Sequence, residues 1–150
     1  MRLKVPPVAV FAVAAILLYA GAWLLPQSSL VFPGQTFLSL FLAFAGLIPG
    51  GRAVLAFARK KTTVNPMAPE KATVLVTGGI YRISRNPMYL GLLCLLLALA
   101  VYWGSLTALV IVPAFVWYMT EFQIKPEEEA LTALFGDAYK DYCTRVRRWI

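Results

Sequence analysis

A chain of 150 residues that is 60% hydrophobic and only 14% charged is too apolar for an ordinary globular domain, and it reads as a membrane protein. With no histidine, a histidine-based triad is excluded, and a zinc site has only two widely separated cysteines and no CxxC to draw on. The formal charge of +7 calls for a topological explanation rather than a nucleic-acid partner, because no basic groove interleaved with aromatic residues accompanies it.

Arg2 and Lys4 precede a charge-free block from Val5 to Gly51. A spanning helix needs about 20 apolar residues, so this block holds two, divided at Pro26-Gln27-Ser28-Ser29 and Pro33-Gly34-Gln35. We predict helices over residues 5 to 25 and 35 to 51. The first run is longer than a signal-peptide core and lacks a small-residue cleavage site before Pro26, so we read it as a retained helix.

The next segment, from Arg52 to Pro87, changes composition. It continues helix two to the basic exit at Arg59, Lys60 and Lys61, and Asn65-Pro66 and Ala68-Pro69 then break any helix. Thr73-Val74-Leu75-Val76-Thr77 and Ile80-Tyr81-Arg82-Ile83, either side of Gly78-Gly79, have the outline of two short extended runs about a turn.

RNPMYLG at residues 85 to 91 reads as a helix start, with Asn86 as the cap and Pro87 in the first turn. It opens a second charge-free block, from Asn86 to Thr120, which divides at Tyr102-Trp103-Gly104-Ser105 into a hairpin of residues 87 to 102 and 106 to 124. After it, Pro126, the acidic run Glu127-Glu128-Glu129 and apolar residues at helical spacing predict a helix lying on the membrane, with Gly136 kinking or dividing it. The expected fold is thus an all-α membrane protein of about four transmembrane helices plus a cytoplasmic C-terminal amphipathic helix, one domain over residues 1 to 150. Residues 1 to 51 supply two N-terminal spans and residues 52 to 150 the functional core.

With four spans, all 14 Lys and Arg residues fall on one side, which places both termini in the cytoplasm and the protein in an inner membrane. Cys94 lies within a span and Cys143 in the tail, so depth separates them and no disulfide is expected. The same topology makes the Asn86 turn and Glu127 neighbours at the cytoplasmic ends of one hairpin. A carboxylate, the faces of Tyr81 and Tyr89 and a helix start can hold a zwitterion with a cationic centre.

Several motifs then agree in order: TTVNP at 62 to 66, LVTGGIYRISRNPMYLG at 75 to 91, Glu127-Glu128, Phe135-Gly136, Tyr139, Tyr142 and VRRW at 146 to 149. Together they resemble the isoprenylcysteine carboxyl methyltransferase and phospholipid methyltransferase superfamily of integral membrane enzymes, over residues 52 to 150. That resemblance implies S-adenosyl-L-methionine as methyl donor and a lipophilic acceptor reached from the bilayer. It implies cofactor contacts from Asn65, from Thr73, Val74, Leu75 and Val76, from Tyr81, from Asn86, Pro87, Met88 and Tyr89, and from Glu127. Glu127 and Glu128 form the paired acidic motif and are the candidate catalytic bases. Gln123 and Arg85 are the candidate substrate contacts. Many relatives carry histidine at the position of Asn86, and prenylcysteine enzymes tend to carry arginine at that of Gln123, so the acceptor here is an isoprenoid or a phospholipid-like molecule rather than a prenylcysteine in particular. The competing readings are a membrane reductase using a nicotinamide cofactor, and a four-helix scaffold with no ligand.

Overall fold

The computed structural model of the chain describes residues 5 to 60 and 73 to 150, and every helix and strand element among them is helical. Helix α1, Pro7–Leu24, starts on a proline whose missing N–H needs no partner in a first turn and carries no charged residue. Helix α2 runs Gln35–Lys60, α3 Pro87–Trp103 and α4 Ala108–Met119. Helices α1 and α2 are long and apolar enough to cross a membrane, and α3 is a shorter apolar helix. The helical boundaries expected for all four agree with these to within a few residues, and α2 runs on past residue 51 as the sequence indicated.

Helices α2 and α3 touch backbone to backbone. A Cβ placed on Gly46 would lie 2.7 Å from the Gly91 carbonyl oxygen, and one on Gly91 would lie 2.7 Å from that of Gly46. Small residues permit this approach, which van der Waals packing and polar links then stabilise where water supplies no hydrophobic drive. The Ser39 hydroxyl adds one such link, donating to the Ala98 carbonyl at 2.9 Å.

The hairpin of α3 and α4 turns at Gly104, whose φ of +62° suits glycine and closes the helix in a left-handed cap. Here the Leu30 N–H donates to the Gly104 carbonyl at 2.7 Å, and the Gln35 amide donates to the carbonyls of Val101 at 2.7 Å and Tyr102 at 3.1 Å. Among the described residues, this end of the bundle has no charged one.

Beyond α4 the helix does not stop. Residues Thr120–Ile124 form a π-helical turn, with the Lys125 N–H donating to the Thr120 carbonyl, and lead directly into α5, Lys125–Phe135. Pro126 explains the widening: it has no N–H and its ring would strike the carbonyl four residues earlier in a regular α-helix. Glu127 and Glu128 therefore do not sit at a free helix N-terminus, and the separate helix expected to begin at Pro126 is instead continuous with α4. Gly136, with φ +54°, divides α5 from α6, Asp137–Arg145.

Two further expectations are corrected. Residues 73 to 78 form no strand, and Gly79–Arg82 is a 3-10 turn, since Gly79 at φ +63° reverses the chain before a second extended run can form. Asn86 occupies the position before α3 but makes no side-chain cap; its amide is engaged elsewhere.

Two apolar cores result. Ala14, Leu18, Tyr89, Leu96, Phe115, Met119 and Ile124 belong to the first, within the bundle. Ala53, Val76, Tyr81, Tyr139, Tyr142 and Val146 form the second, where the C-terminal helices cover the end of α2 and the 3-10 turn.

Candidate functional site

The charged end of the bundle gathers residues from five parts of the chain. Tyr89, in the first turn of α3, is buried and its hydroxyl donates to Glu127 Oε1 at 2.5 Å. Tyr89 belongs to the first core and Tyr81 to the second, so Glu127 stands where the two cores meet. Burial pushes the Glu127 carboxyl up to about 8; the Tyr89 hydrogen bond pulls it down and the charge of Glu128 raises it further. Burial also raises Tyr81, helped by Tyr142 and Glu127, so the Tyr81 phenol stays protonated.

Glu128 faces the other way and is saturated by arginine. Its Oε1 accepts from Arg148 Nε at 3.0 Å, its Oε2 accepts from Arg148 Nη2 at 2.6 Å, and Arg85 Nη2 stands 3.1 Å from Oε1. This two-pronged guanidinium contact is the geometry that gives arginine pairs their strength and direction. Arg148 also returns to the helix start: the Asn86 amide donates to its carbonyl at 2.9 Å, and the Arg85 N–H donates to the Arg147 carbonyl at 3.0 Å. Trp149 Nε1 donates to Thr120 Oγ1 at 3.2 Å, and the Tyr142 hydroxyl donates to the Tyr81 carbonyl at 2.6 Å.

The expected neighbourhood of Asn86 and Glu127 is thus present, through Tyr89. Val76 is buried in the second core with Leu75 packed against it, while Thr73 and Val74 are exposed on the same segment. Pro87 is buried and Met88 packs against the second core. Asn65 lies outside the described residues.

Two expected positions are engaged elsewhere. Arg85 contacts Glu128 and the Cys143 thiol, so its guanidinium is committed inside the protein. Gln123, in the π-helical turn, is fully buried; its amide donates to the Val5 carbonyl at 2.5 Å and its Oε1 has no partner among the described residues. Arg147 and Arg148 lie beyond the last helix, after Val146 turns extended, and the sequence signal for their role was VRRW standing in an ordered series of motifs.

This arrangement presents one buried carboxyl of raised proton affinity, a phenol bonded to it and a second phenol nearby, at the end of an apolar bundle. It suits an amphiphilic cation, and a proton acceptor is in place.

Comparison with known proteins bears on which cation. The sequence profile of the phospholipid methyltransferase family matches residues 34–138. An uncharacterized protein of Haemophilus influenzae is 43% identical over 63 residues, covering 42% of this chain and 100% of that protein. The protein-S-isoprenylcysteine O-methyltransferase of Schizosaccharomyces pombe is 32% identical over 76 residues, covering 51% of this chain and 32% of that enzyme. No solved structure matches the chain significantly.

Proposed function

This chain belongs to the phospholipid methyltransferase family, a group of membrane methyltransferases, and we propose that it moves a methyl group from S-adenosyl-L-methionine to a lipophilic acceptor at the cytoplasmic face of an inner membrane. The observation that carries this reading is the Tyr89–Glu127 pair at 2.5 Å, formed by two residues inside the matched region. The acceptor is an isoprenoid carboxylate or thiol, or a phospholipid-like amine.

The donor set fits the cofactor. Glu127 would take its ammonium, Tyr81 and Tyr89 would face its sulfonium, and the backbone of residues 73 to 76 with the Asn86 to Tyr89 turn would take its remaining polar groups. Bound there, S-adenosyl-L-methionine supplies an electrophilic methyl group for in-line displacement. The chain's own work is alignment and exclusion of water, which the buried surroundings of Tyr89 and Glu127 favour. A carboxylate acceptor needs no base. An amine or thiol acceptor loses a proton, and Glu127, ionised once the cofactor's ammonium stands beside it, would be the nearest carboxylate to take it. Glu128, with both oxygens held by arginine, serves the site by position.

We place four crossings, α1, α2, α3 and α4 with its π-helical turn, and both termini on the cytoplasmic side. Support comes from charge: Arg52, Arg82, Arg85, Lys125, Arg145, Arg147 and Arg148 all lie at or beyond the Glu127 end, and among the described residues the Gly104 end holds none.

Titration calorimetry on the full chain in detergent tests the cofactor. Saturable binding of S-adenosyl-L-methionine is expected, with no binding of NADPH, and Glu127→Ala or Tyr89→Phe should weaken it. At pH 7 binding should release a proton, because the incoming ammonium favours the ionised form of a carboxyl with a value of about 8. A well-folded preparation that binds NADPH and not S-adenosyl-L-methionine would reverse the assignment.

A further inference from the structure

We infer that Arg148, near the C-terminal end of the described chain, is a positioning residue for the Glu127–Tyr89 pair, acting through Glu128 on one side and the Asn86 turn on the other. The proposal rests on the functional reading above and adds a residue that motif matching left without a role.

The argument is a closed ring of contacts. From Glu127 the ring passes by the 2.5 Å hydrogen bond to Tyr89 in the first turn of α3. Three residues back along that turn is Asn86, whose amide donates to the Arg148 carbonyl at 2.9 Å. From the same residue, the guanidinium reaches both oxygens of Glu128 at 3.0 and 2.6 Å. Glu128 adjoins Glu127 in α5, and the ring is complete. A two-pronged contact fixes the rotation of the helix that carries the carboxylate, which a single point charge does not.

The setting makes this anchorage needed. Helix α5 follows a π-helical turn, where the regular ladder is interrupted, and ends at Gly136. Helix geometry alone therefore leaves its rotation weakly defined at the point where Glu127 must meet Tyr89. Other ties hold in place the strap formed by residues 146 to 150: the Arg85 N–H to the Arg147 carbonyl at 3.0 Å and Trp149 Nε1 to Thr120 Oγ1 at 3.2 Å. Arg148 is the residue of the strap that reaches α5 and the α3 start at once. Arg85 adds a second cation on Glu128 Oε1 but approaches it from the α3 side alone.

The test follows the proton on Glu127 in the full chain in detergent, without cofactor, by infrared titration of its carboxyl band, identified by its loss in Glu127→Gln. The ionisable groups facing Glu127 are Tyr89 from α3, Tyr81 from the 3-10 turn and Glu128 from its own helix. Arg148→Ala alone leaves Glu128 with Arg85 as its guanidinium partner and a charge that bears harder on Glu127, and Glu128→Gln alone removes a charge that raises it, so the deciding comparison is Arg148→Ala with Glu128→Gln against Glu128→Gln alone, both checked for helix content by circular dichroism. If Arg148 positions Glu127, its carboxyl swings toward solvent in the double variant and the midpoint falls below that of Glu128→Gln by roughly one unit or more. Arg148→Lys, which keeps the charge and loses the fork, should fall between. A folded double variant with the midpoint of Glu128→Gln overturns the proposal, because it reduces Arg148 to a counter-ion. Should the double variant fail to fold, an Arg148→Lys protein titrating as wild type overturns it equally. Calorimetry with S-adenosyl-L-methionine then separates the two readings: absence of binding to wild type defeats the proposed function, while the titration still decides the role of Arg148.

Discussion

The two ends of the α3–α4 hairpin solve the same problem, joining the chain around an apolar bundle, with opposite chemistry. At the Gly104 end the connections are neutral: backbone hydrogen bonds, one glutamine amide and a glycine in the left-handed region. At the other end they are ionic and phenolic, with Glu127, Glu128, Arg85 and Arg148 partly buried among tyrosines. A charge away from water is costly unless paired, so the first end is the economical way to close a bundle. The second end holds a carboxyl with a raised value and, among the described residues, a phenol as its hydrogen-bond partner, which a purely structural closure does not require.

That contrast can be broken by experiment, and the largest effect should come from neither end but from the crossing that fixes both. Gly46→Leu places side-chain atoms where the Gly91 backbone stands, and we expect loss of folded protein on size-exclusion chromatography, an overpacking cost of about 3 kcal/mol or more. At the neutral end, Gly104→Ala meets the Leu30 carbonyl and an unfavourable φ. It should cost about 2 kcal/mol, read as a lower melting temperature, without changing ligand affinity in the folded fraction.

At the charged end the effect is a pH dependence. The folded value of Glu127, about 8, lies above its ordinary 4.5, so the folded state keeps a proton that the unfolded chain gives up. Its contribution to stability is full below about pH 4.5 and is lost as pH rises through 8. Melting temperature should therefore fall from pH 5 to pH 9, and Glu127→Gln should flatten that slope. A slope unchanged in Glu127→Gln removes the buried carboxyl from the account. The smallest effect belongs to the surface: Lys140→Ala breaks an exposed pair with Asp137 at 2.9 Å and should shift stability by about 0.5 kcal/mol or less, with no change in binding.

The helical plan was legible because it depends on one property, hydrophobicity sustained over a bilayer's thickness, and the charge-free blocks display it without reference to any other part of the chain. The vicinity of Asn86 and Glu127 was legible for the same reason, as two ends of one hairpin. What could not be read there depends on partners distant in sequence. Asn86 has the side chain of a helix cap, yet its amide goes to Arg148, 62 residues on. Arg85 looked available for a ligand until Glu128 and Cys143 were seen to hold it. Pro126 announced a helix start, because a proline that begins a helix and one that widens it have the same sequence signature. The division at Gly136 was visible, since a glycine after an apolar helical run marks a break without outside help.

Transfer of label decides the central claim that the charged end is a methyltransferase site. The full chain, reconstituted with S-adenosyl-L-methionine labelled in its methyl group and a total lipid extract, should yield one labelled lipid species, and Glu127→Ala should abolish it while keeping the helix content of the wild type. A folded wild-type protein that labels no lipid, or a Glu127→Ala protein that labels as well as wild type, contradicts the account.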